Sequence, residues 1–496
     1  MDTDESLSLV ATFPDPLFSS YPNAMADCSI YKAAEEATGI HVDFQGMSTS
    51  ASNEQFNVMV ASGSYPDLIG WGLNFANGDD AEVDEDIILD LTESIAQYAP
   101  NYYNLLSTDD ELLKTAVSSS GYITAFYGLT TEDGLAKEGL AIRTDVLDEL
   151  GLEKPYTIDE YEDTLAAFKD YGMKQPLMML APGAIQDNWL SGAFDVAAFC
   201  NSFPMSVVPT YVQDGEIKFG PIEDGFKDYI TLMHDWYEKG YIESDFISDN
   251  SNWNSPDYAN AITSGDAGIF YADQGNLGGY NDASEIPGFS VEATYDMHAT
   301  KDSINHFGTF ITKSASNGFR ITTNCENVEL ACQWGDWWYS EEGSLLANYG
   351  VEGEGFEYVD GVPTFTSLVT DSDLGMRDAL LVYASNGTIN CVIDNNAVAS
   401  GYSEVDKAAP EIWATGMDDE YVIPTSMALS ADQSTEANNI YSDIQTLCME
   451  SIAKFITGDK SLDEFDNFVQ QIKDMGIQDY LDIYQFHCAD RVFAPG

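Results

Sequence analysis

Basic residues are scarce in this 496-residue chain, in which 19 lysines and arginines face 84 aspartates and glutamates and the formal net charge is −65. A surface of this sign repels nucleic acid, and the sequence shows no basic patch that would bind phosphates. It also disfavours a polyanionic ligand unless cations cluster locally. We interpret the acidic excess as a solubilising surface suited to an extracellular or saline setting.

Motifs for catalysis and for metal binding are also missing. The sequence has no Gly-x-Ser-x-Gly, His-Glu-x-x-His, Walker loop or Gly-x-Gly-x-x-Gly, and its five histidines are scattered. We therefore expect no catalytic residue and no cofactor. Because carboxylates are so numerous, a pair suited to glycoside hydrolysis stays open, although no pair stands out.

Seven cysteines show no Cys-x-x-Cys or Cys/His ligand spacing, which disfavours zinc. The acidic run at 79–86 lacks the glycine and the alternating ligands of an EF-hand loop. We expect no metal site, although the sequence leaves open whether a structural calcium is bound. The cysteine count is odd, so at least one thiol is free or pairs between chains, and we expect most of them to be buried apolar residues.

Long apolar runs are absent as well, since no stretch approaches the ~18 residues that a membrane span needs. Residues 1–6 carry no basic or apolar signal region. The chain is nevertheless rich in material for a core, with 44% hydrophobic and 12% aromatic residues. Its length exceeds the usual size of one domain, so we expect a globular protein of more than one domain.

Short β-rich runs alternate with amphipathic helices, which predicts an α/β fold. Asp-Gly turns predict two hairpins, at 211–219 and 356–365. The strand candidates are His41–Gln45, Leu68–Trp71, Gly139–Ile142, Gly268–Tyr271 and Phe307–Ile311.

The block at 139–160 is the most informative stretch. It predicts a buried strand, a short helix that stops at Gly151, and a second helix that begins with Thr157 and Glu160 at capping-box spacing. The second helix ends at Gly172.

This block resembles a signature of extracellular solute-binding proteins, family 1, the sugar-binding subunits of ABC importers. In that family an Arg-x-Asp-x-Leu segment, here at 143–147, opens the second lobe. Four further blocks occur in the family's order, at 36–44, 61–69, 339–353 and 455–465. The last two are similar to the lipoprotein and alginate-oligosaccharide-binding branch.

The resemblance implies a two-lobed, periplasmic-binding-protein-like α/β fold with a ligand cleft between lobes that close about a hinge. Lobe one is expected at 1–130 and 300–375, and lobe two at 131–299 and 376–496. The implied function is the substrate-binding subunit of an ABC importer, without enzymatic activity. A peptide or other polar-solute binder and a carbohydrate-active enzyme are the alternatives.

A sugar site needs flat aromatic surfaces and hydrogen-bonding side chains. Aromatics beside polar residues in loops or at strand ends fit this need, although each could instead pack in a core. Arg143 could clasp a ligand or form a structural ion pair. The candidate ligand-binding residues are Trp71, Asn74, Tyr127, Arg143, Asn188, Trp189, Trp253, Tyr271, Asp273 and Trp413.

With few bases near these positions, we predict a neutral oligosaccharide ligand and no binding of acidic polymers. The resemblance implies a cell-surface lipoprotein whose signal peptide and lipid-bearing cysteine are absent from this chain. It also implies permease subunits as partners, no nucleic acid, membrane contact only through the lipid anchor, and a monomer. The sequence does not give the sugar, its linkage, the cognate permease or any disulfide pairing.

Overall fold

The structure, a computed structural model, divides the chain into two compact units. Unit 1 comprises Met1–Asp133 and Thr312–Gly401, and unit 2 comprises Gly134–Ile311 and Tyr402–Gly496. The residues that the structure describes are 5–18, 20–21, 23–75, 78–179, 187–198, 200–202, 205–207, 209–246, 255–384, 390–399, 401–423, 429 and 431–492.

Helices and strands alternate along both units. The strands are β1 Ser6–Phe13, β2 His41–Ser48, β3 Leu68–Ile69, β4 Phe126–Thr130, β5 Glu138–Arg143, β6 Gln175–Leu177, β7 Cys200–Ser202, β8 Met205–Val207, β9 Thr210–Gln213, β10 Glu216–Phe219, β11 Ala267–Asp273, β12 Val291–Ala293, β13 Ser314–Ile321, β14 Phe356–Val359 and β15 Val362–Phe365. The helices are α1 Asp15–Phe18, α2 Ser29–Thr38, α3 Ser52–Ser62, α4 Asp79–Asp84, α5 Thr92–Tyr98, α6 Pro100–Ser107, α7 Asp110–Ala116, α8 Thr144–Leu150, α9 Ile158–Tyr171, α10 Asp187–Ser191, α11 Asp224–Glu238, α12 Pro256–Thr263, α13 Leu277–Ala283, α14 Val328–Trp337, α15 Glu341–Tyr349, α16 Ser367–Thr370, α17 Met376–Tyr383, α18 Asn395–Ala399, α19 Glu404–Trp413, α20 Ala431–Thr457, α21 Phe465–Asp474 and α22 Ile477–Val492.

The sheet of unit 1 has the strand order β2-β1-β3-β13-β4. Strand β1 pairs in parallel with β2 and β3, and β13 pairs antiparallel with β3 and β4. Successive side chains of a strand point to opposite faces. Accordingly Leu9 and Leu68 join the main core of unit 1, while Val10 and Ile69 join a smaller cluster. Both faces of this sheet are therefore covered.

The sheet of unit 2 has the order β12-β5-β11-β6. Strand β5 is antiparallel to both β12 and β11, and β11 is parallel to β6. Buried residues of β5 and β11 and of helices α9, α11 and α20 form one large core. The predicted α/β class is confirmed in both units.

The predictions that depend only on residues close together in the sequence are confirmed. Thr157 and Glu160 form the predicted capping box at the start of α9. Both Asp-Gly hairpins form, as β9–β10 and β14–β15. In the second, Asp360 and Gly361 both have positive φ, at 52° and 83°, which is the type I′ geometry that the Asp-Gly pair favours.

One strand prediction is wrong, because residues 307–311 form no strand. Phe307 instead packs its ring against Tyr211, with centroids 5.2 Å apart, and Ile311 makes an isolated bridge with Gly134. The apolar run reflected burial in this cluster, and the strand begins later, at Ser314.

The limits of the units also differ from the sequence-based ones, which were 130, 299 and 375. In the structure they fall at Asp133, Ile311 and Gly401. The largest shift arises because α17 contacts α2 and buries Leu380 and Val382 within unit 1. The helix therefore belongs to unit 1, although the resemblance had assigned it to the second lobe.

The cysteines whose burial the structure describes fit the expectation of buried apolar residues, since Cys28, Cys325, Cys332, Cys391 and Cys448 are all buried. Among the described helices none combines the length and the apolar character of a membrane span.

A buried histidine gives unit 2 a pH-dependent stability. His298 is stacked on Tyr156 with ring centroids 4.1 Å apart, and burial lowers the pKa of its imidazole below the usual value of 6.5. Protonation then favours the unfolded chain. The stabilising effect of the neutral ring is complete above about pH 6.5 and is lost as the pH falls through the lowered pKa, with a slope of up to about 1.4 kcal/mol per pH unit.

We therefore expect the free energy of unfolding to fall less steeply between pH 7 and pH 5 in His298→Gln than in the unchanged protein. The many carboxylates titrate in both proteins, so the difference isolates the histidine. His41 is the control: it is exposed, and a hydrogen bond with Glu35 raises its pKa, so His41→Gln should change the slope slightly and with the opposite sign. Equal slopes for His298→Gln and the unchanged protein would contradict the assignment.

Candidate functional site

Two carboxylates meet at the end of the unit 2 sheet where β5 begins and β11 ends. In the antiparallel register Asp273 lies opposite Glu138, and Tyr271 lies opposite Leu140. Because residues two apart on a strand share a face, Glu138, Tyr271 and Asp273 point to the same side. The Tyr271 hydroxyl donates a 2.7 Å hydrogen bond to Glu138. Burial raises the pKa of Glu138 although this bond favours its charged form.

Two indoles flank this group, one on each face of the sheet. Trp189, in α10, stacks on Tyr271 with ring centroids 5.3 Å apart. Trp413, at the end of α19, lies against Gly139, where an added Cβ would approach the indole Cδ1 to 2.4 Å. Its Nε1 donates a 2.8 Å hydrogen bond to the carbonyl of Leu140. Glycine at position 139 is therefore required for Trp413 to pack directly on the strand.

The residues that follow β11 are held against the first turn of α19 and the residues just before it. The Gln274 amide side chain donates to the carbonyl of Asp406 at 3.1 Å. Asp273 accepts the backbone N–H of Gly275 at 3.0 Å, and the ring of Tyr402 lies against that glycine. Asp273 is thereby held in place and is half-buried.

Asn188, half-buried in α10, has a local structural role. Its side-chain oxygen accepts the N–H of Ala198 at 2.8 Å, and its carbonyl accepts the side-chain amide of Asn305 at 3.1 Å. These bonds fix the helix that carries Trp189.

In unit 1 a polar chain supports Tyr127. The half-buried Tyr127 hydroxyl lies 2.9 Å from that of Thr124, which donates to Asp79 at 3.0 Å. Arg320 donates from Nε to the same Asp79 oxygen at 2.9 Å and from Nη1 to the carbonyl of Leu73. Arg320 therefore fastens the loop after β3 to the strands that carry Tyr127.

That loop contains two further candidates. Trp71 is buried in the main core of unit 1, and Asn74 is exposed. Gly72, between them, has a φ of 74°, and an added Cβ would lie 2.1 Å from the hydroxyl of Thr12. The sharp turn allows Trp71 to point inwards while Asn74 reaches solvent.

Arg143 has a structural partner in Asp145, and its contact with a ligand stays a prediction. Its Nε and Nη2 donate to both oxygens of Asp145 at 2.8 and 2.7 Å, and its guanidinium lies 4.3 Å from the Phe289 ring centroid. The residue is 3% exposed. It also lies five residues along β5 from Glu138, a separation of about 16 Å.

The structure thus brings four candidates together around β5 and β11, namely Trp189, Tyr271, Asp273 and Trp413. Asn188 directly precedes Trp189 in the chain. The structure places Trp71, Asn74 and Tyr127 around the loop that Arg320 fastens in unit 1. Trp253 lies outside the described residues. The rings of Trp189, Tyr271 and Trp413 are almost fully buried and pack in the core of unit 2, so their contact with a ligand stays a prediction.

Sequence reasoning missed several polar residues of these groups, above all Glu138 and Asp79. The position of Glu138 directly before the predicted strand Gly139–Ile142 was visible, but its partner depended on the register with β11. Asp79 appeared only as part of an acidic run, and its contact with Arg320 joins positions 241 residues apart.

Comparison with known proteins places the chain in a family. A family model described as bacterial extracellular solute-binding protein matches residues 29–355, more than half of the chain. Lipoprotein LipO of Bacillus subtilis is 26% identical over 71% of this chain and 68% of its own length. The fructooligosaccharide ABC transporter substrate-binding protein FusA of Streptococcus pneumoniae is 22% identical over 96% of this chain and 88% of its own length.

Solved structures share the fold at lower identity. The alginate-binding protein AlgQ2 is 21% identical with a TM-score of 0.73, over 98% of this chain and 99% of that one. An HMO-binding, ABC-transporter-associated solute-binding protein from Bifidobacterium longum infantis is 18% identical with a TM-score of 0.77, over 97% and 98%. The predicted family is confirmed: the chain belongs to the bacterial extracellular solute-binding proteins.

Proposed function

We propose that this protein captures a neutral oligosaccharide outside the cell and delivers it to the permease of an ABC importer. In this proposal it acts as a monomeric, lipid-anchored cell-surface protein and leaves the sugar chemically unchanged. The names of FusA and of the HMO-binding protein support an oligosaccharide ligand, and the name of LipO supports the anchor.

The observation that carries the proposal is the group at the end of the unit 2 sheet. Carboxylates accept hydrogen bonds from sugar hydroxyls, and Asp273 is half-buried beside the Tyr271–Glu138 pair, with part of its surface open to solvent. The indoles of Trp189 and Trp413 hold that pair and its strands in place. Direct stacking of a sugar on Trp189, Tyr271 or Trp413 stays part of the proposal and requires that an edge of the ring become accessible. In unit 1, Asn74 and Tyr127 are the candidate contacts.

The distribution of cations favours a neutral ligand. Arg143 and Arg320 are buried, and they form ion pairs with Asp145 and Asp79 respectively. Lys137 adjoins Glu138 in sequence and interacts with Asp273, so the local charge at this sheet end is negative. The lysines found in salt bridges are Lys154, Lys174, Lys227, Lys239, Lys301, Lys313, Lys407 and Lys454.

The proposal is tested by a thermal-shift screen of the full chain against neutral oligosaccharides, acidic oligosaccharides and peptides. A ligand at about 100 times its Kd adds about 2.7 kcal/mol to the free energy of unfolding, which raises the melting temperature measurably. Neutral oligosaccharides should give the shift. A shift with peptides alone would overturn the sugar assignment, and release of shorter sugars by the purified protein would show an enzyme.

With a ligand identified, Asp273→Asn should weaken its binding about tenfold or more. Asparagine keeps the oxygen that accepts the Gly275 N–H, whereas the charge-assisted hydrogen bonds to sugar hydroxyls and the charge interaction with Lys137 are lost. Asp282→Asn, on the exposed surface of α13, is the matched control and should bind as the unchanged protein does. Equal affinities for both variants would remove Asp273 from the site.

A further inference from the structure

A group of metal-ligating side chains, none of them a candidate sugar contact, lies in unit 2. In the part of the chain that the structure describes, His306, Asp418 and Glu420 are the one group of three histidine, cysteine or carboxylate residues whose ligand atoms all lie within 4.8 Å of one another. Nδ1 of His306 is 2.7 Å from a carboxylate oxygen of Asp418 and 3.7 Å from one of Glu420. Both carboxylates therefore face the same nitrogen.

The backbone holds these three side chains in register. The N–H of Asp418 donates to the carbonyl of Asn305 at 3.0 Å, and its carbonyl accepts the N–H of Gly308 at 2.7 Å. The N–H of Tyr421 donates to the carbonyl of His306 at 3.1 Å. The ligands come from two segments that are hydrogen-bonded to each other through their backbones, which fixes the positions of the three residues in the chain.

Aromatic packing orients the imidazole. The ring of Tyr421 lies 4.6 Å from that of His306, and the Tyr421 hydroxyl accepts a 2.9 Å hydrogen bond from Gln213. The His306 side chain is 22% exposed, while those of Asp418 and Glu420 are 41% and 71% exposed. An ion can therefore reach the group from solvent and keep water as a further ligand.

A second histidine shows why this geometry is distinctive. His41 also contacts two carboxylates, but Glu35 lies 3.0 Å from Nδ1 and Asp43 lies 3.3 Å from Nε2. Those carboxylates sit on opposite sides of the ring and cannot share one ion with a ring nitrogen. In the His306 group, by contrast, all three ligand atoms lie within 4.8 Å of one another.

From this convergence we propose that His306, Asp418 and Glu420 bind a divalent transition-metal ion, Zn²⁺ by preference. Bonds of about 2.1 Å in tetrahedral geometry place two ligand atoms about 3.4 Å apart, and the separations of 2.7 and 3.7 Å lie on either side of that value. An imidazole nitrogen favours Zn²⁺, whereas Ca²⁺ takes oxygen ligands. The ion fastens the segment at 416–421 to the segment at 305–308.

The test is isothermal titration of the full chain with ZnCl₂ in a non-chelating buffer at 0.15 M salt, which screens weak binding to the acidic surface. The unchanged protein should bind one Zn²⁺ at a site that Ca²⁺ at the same concentration does not occupy. His306→Gln and Glu420→Gln should each weaken this binding at least about tenfold, since each removes a ligand. The matched control His41→Gln should leave it unchanged.

Glu420 is so exposed that its substitution leaves the fold intact, which keeps the test valid if His306→Gln is destabilised. Equal Zn²⁺ affinity in the unchanged protein and in Glu420→Gln would overturn the proposal. The same holds if no site persists at 0.15 M salt, or if Ca²⁺ binds these residues as tightly as Zn²⁺. None of these outcomes depends on the sugar ligand, so failure here is distinguishable from failure of the proposed function.

Discussion

Replacing Trp413 with alanine is expected to lower the free energy of unfolding of unit 2 by about 3–5 kcal/mol, the usual cost of truncating a large buried aromatic. The indole is 1% exposed and lies on Gly139, which has no side chain to fill the space that the ring would leave. The cavity would therefore persist. Denaturant unfolding followed by circular dichroism measures the loss.

Trp413→Phe is the control variant, because it keeps an aromatic ring that fills most of the space. It removes the Nε1 hydrogen bond to the carbonyl of Leu140, but that carbonyl also accepts the N–H of Thr294 at 2.8 Å and stays satisfied. We expect this variant to lose much less stability than alanine does. A loss below about 1 kcal/mol for Trp413→Ala would show that the ring is not a packing element of the sheet.

Removing Asp145 is expected to cost about 3–5 kcal/mol, because it leaves the buried guanidinium of Arg143 without its counter-charge. The pair is bidentate, and Arg143 is far more buried than its partner. The double variant Arg143→Met with Asp145→Ala removes both charges, and methionine can still pack on Phe289. Its unfolding free energy should recover much of the loss.

The same variants separate a structural role from a ligand contact. Asp145→Ala and the double variant should bind the oligosaccharide with unchanged affinity wherever they remain folded. If the double variant is stable but binds the ligand at least about tenfold more weakly, Arg143 contacts the ligand and the structural assignment fails.

The features that could be predicted from sequence are those decided within a few residues. The capping box at Thr157 and the Asp-Gly hairpins follow from backbone and side-chain chemistry that no distant contact overrides. The Arg143–Asp145 pair was equally local, and the acidic composition had made a structural ion pair an open alternative for Arg143.

The features of the fold and of the sites that the sequence did not predict depended on contacts between positions far apart in the chain. The run at Phe307 was apolar because it packs on Tyr211, and no local signal distinguishes that from a strand. Glu138 joins the candidate site only through the β5–β11 register, and His306 meets Asp418 across 112 positions. The resemblance supplied the family but could not supply these pairings.

The central claim is that the protein binds neutral oligosaccharides and discriminates against acidic ones. Isothermal titration with matched neutral and acidic oligosaccharides, at low and at high salt, tests it most directly. Neutral sugars should bind with an affinity that salt barely changes, because no net charge is involved. Acidic sugars should not bind at low salt. Tight binding of the acidic series without added salt would contradict the claim.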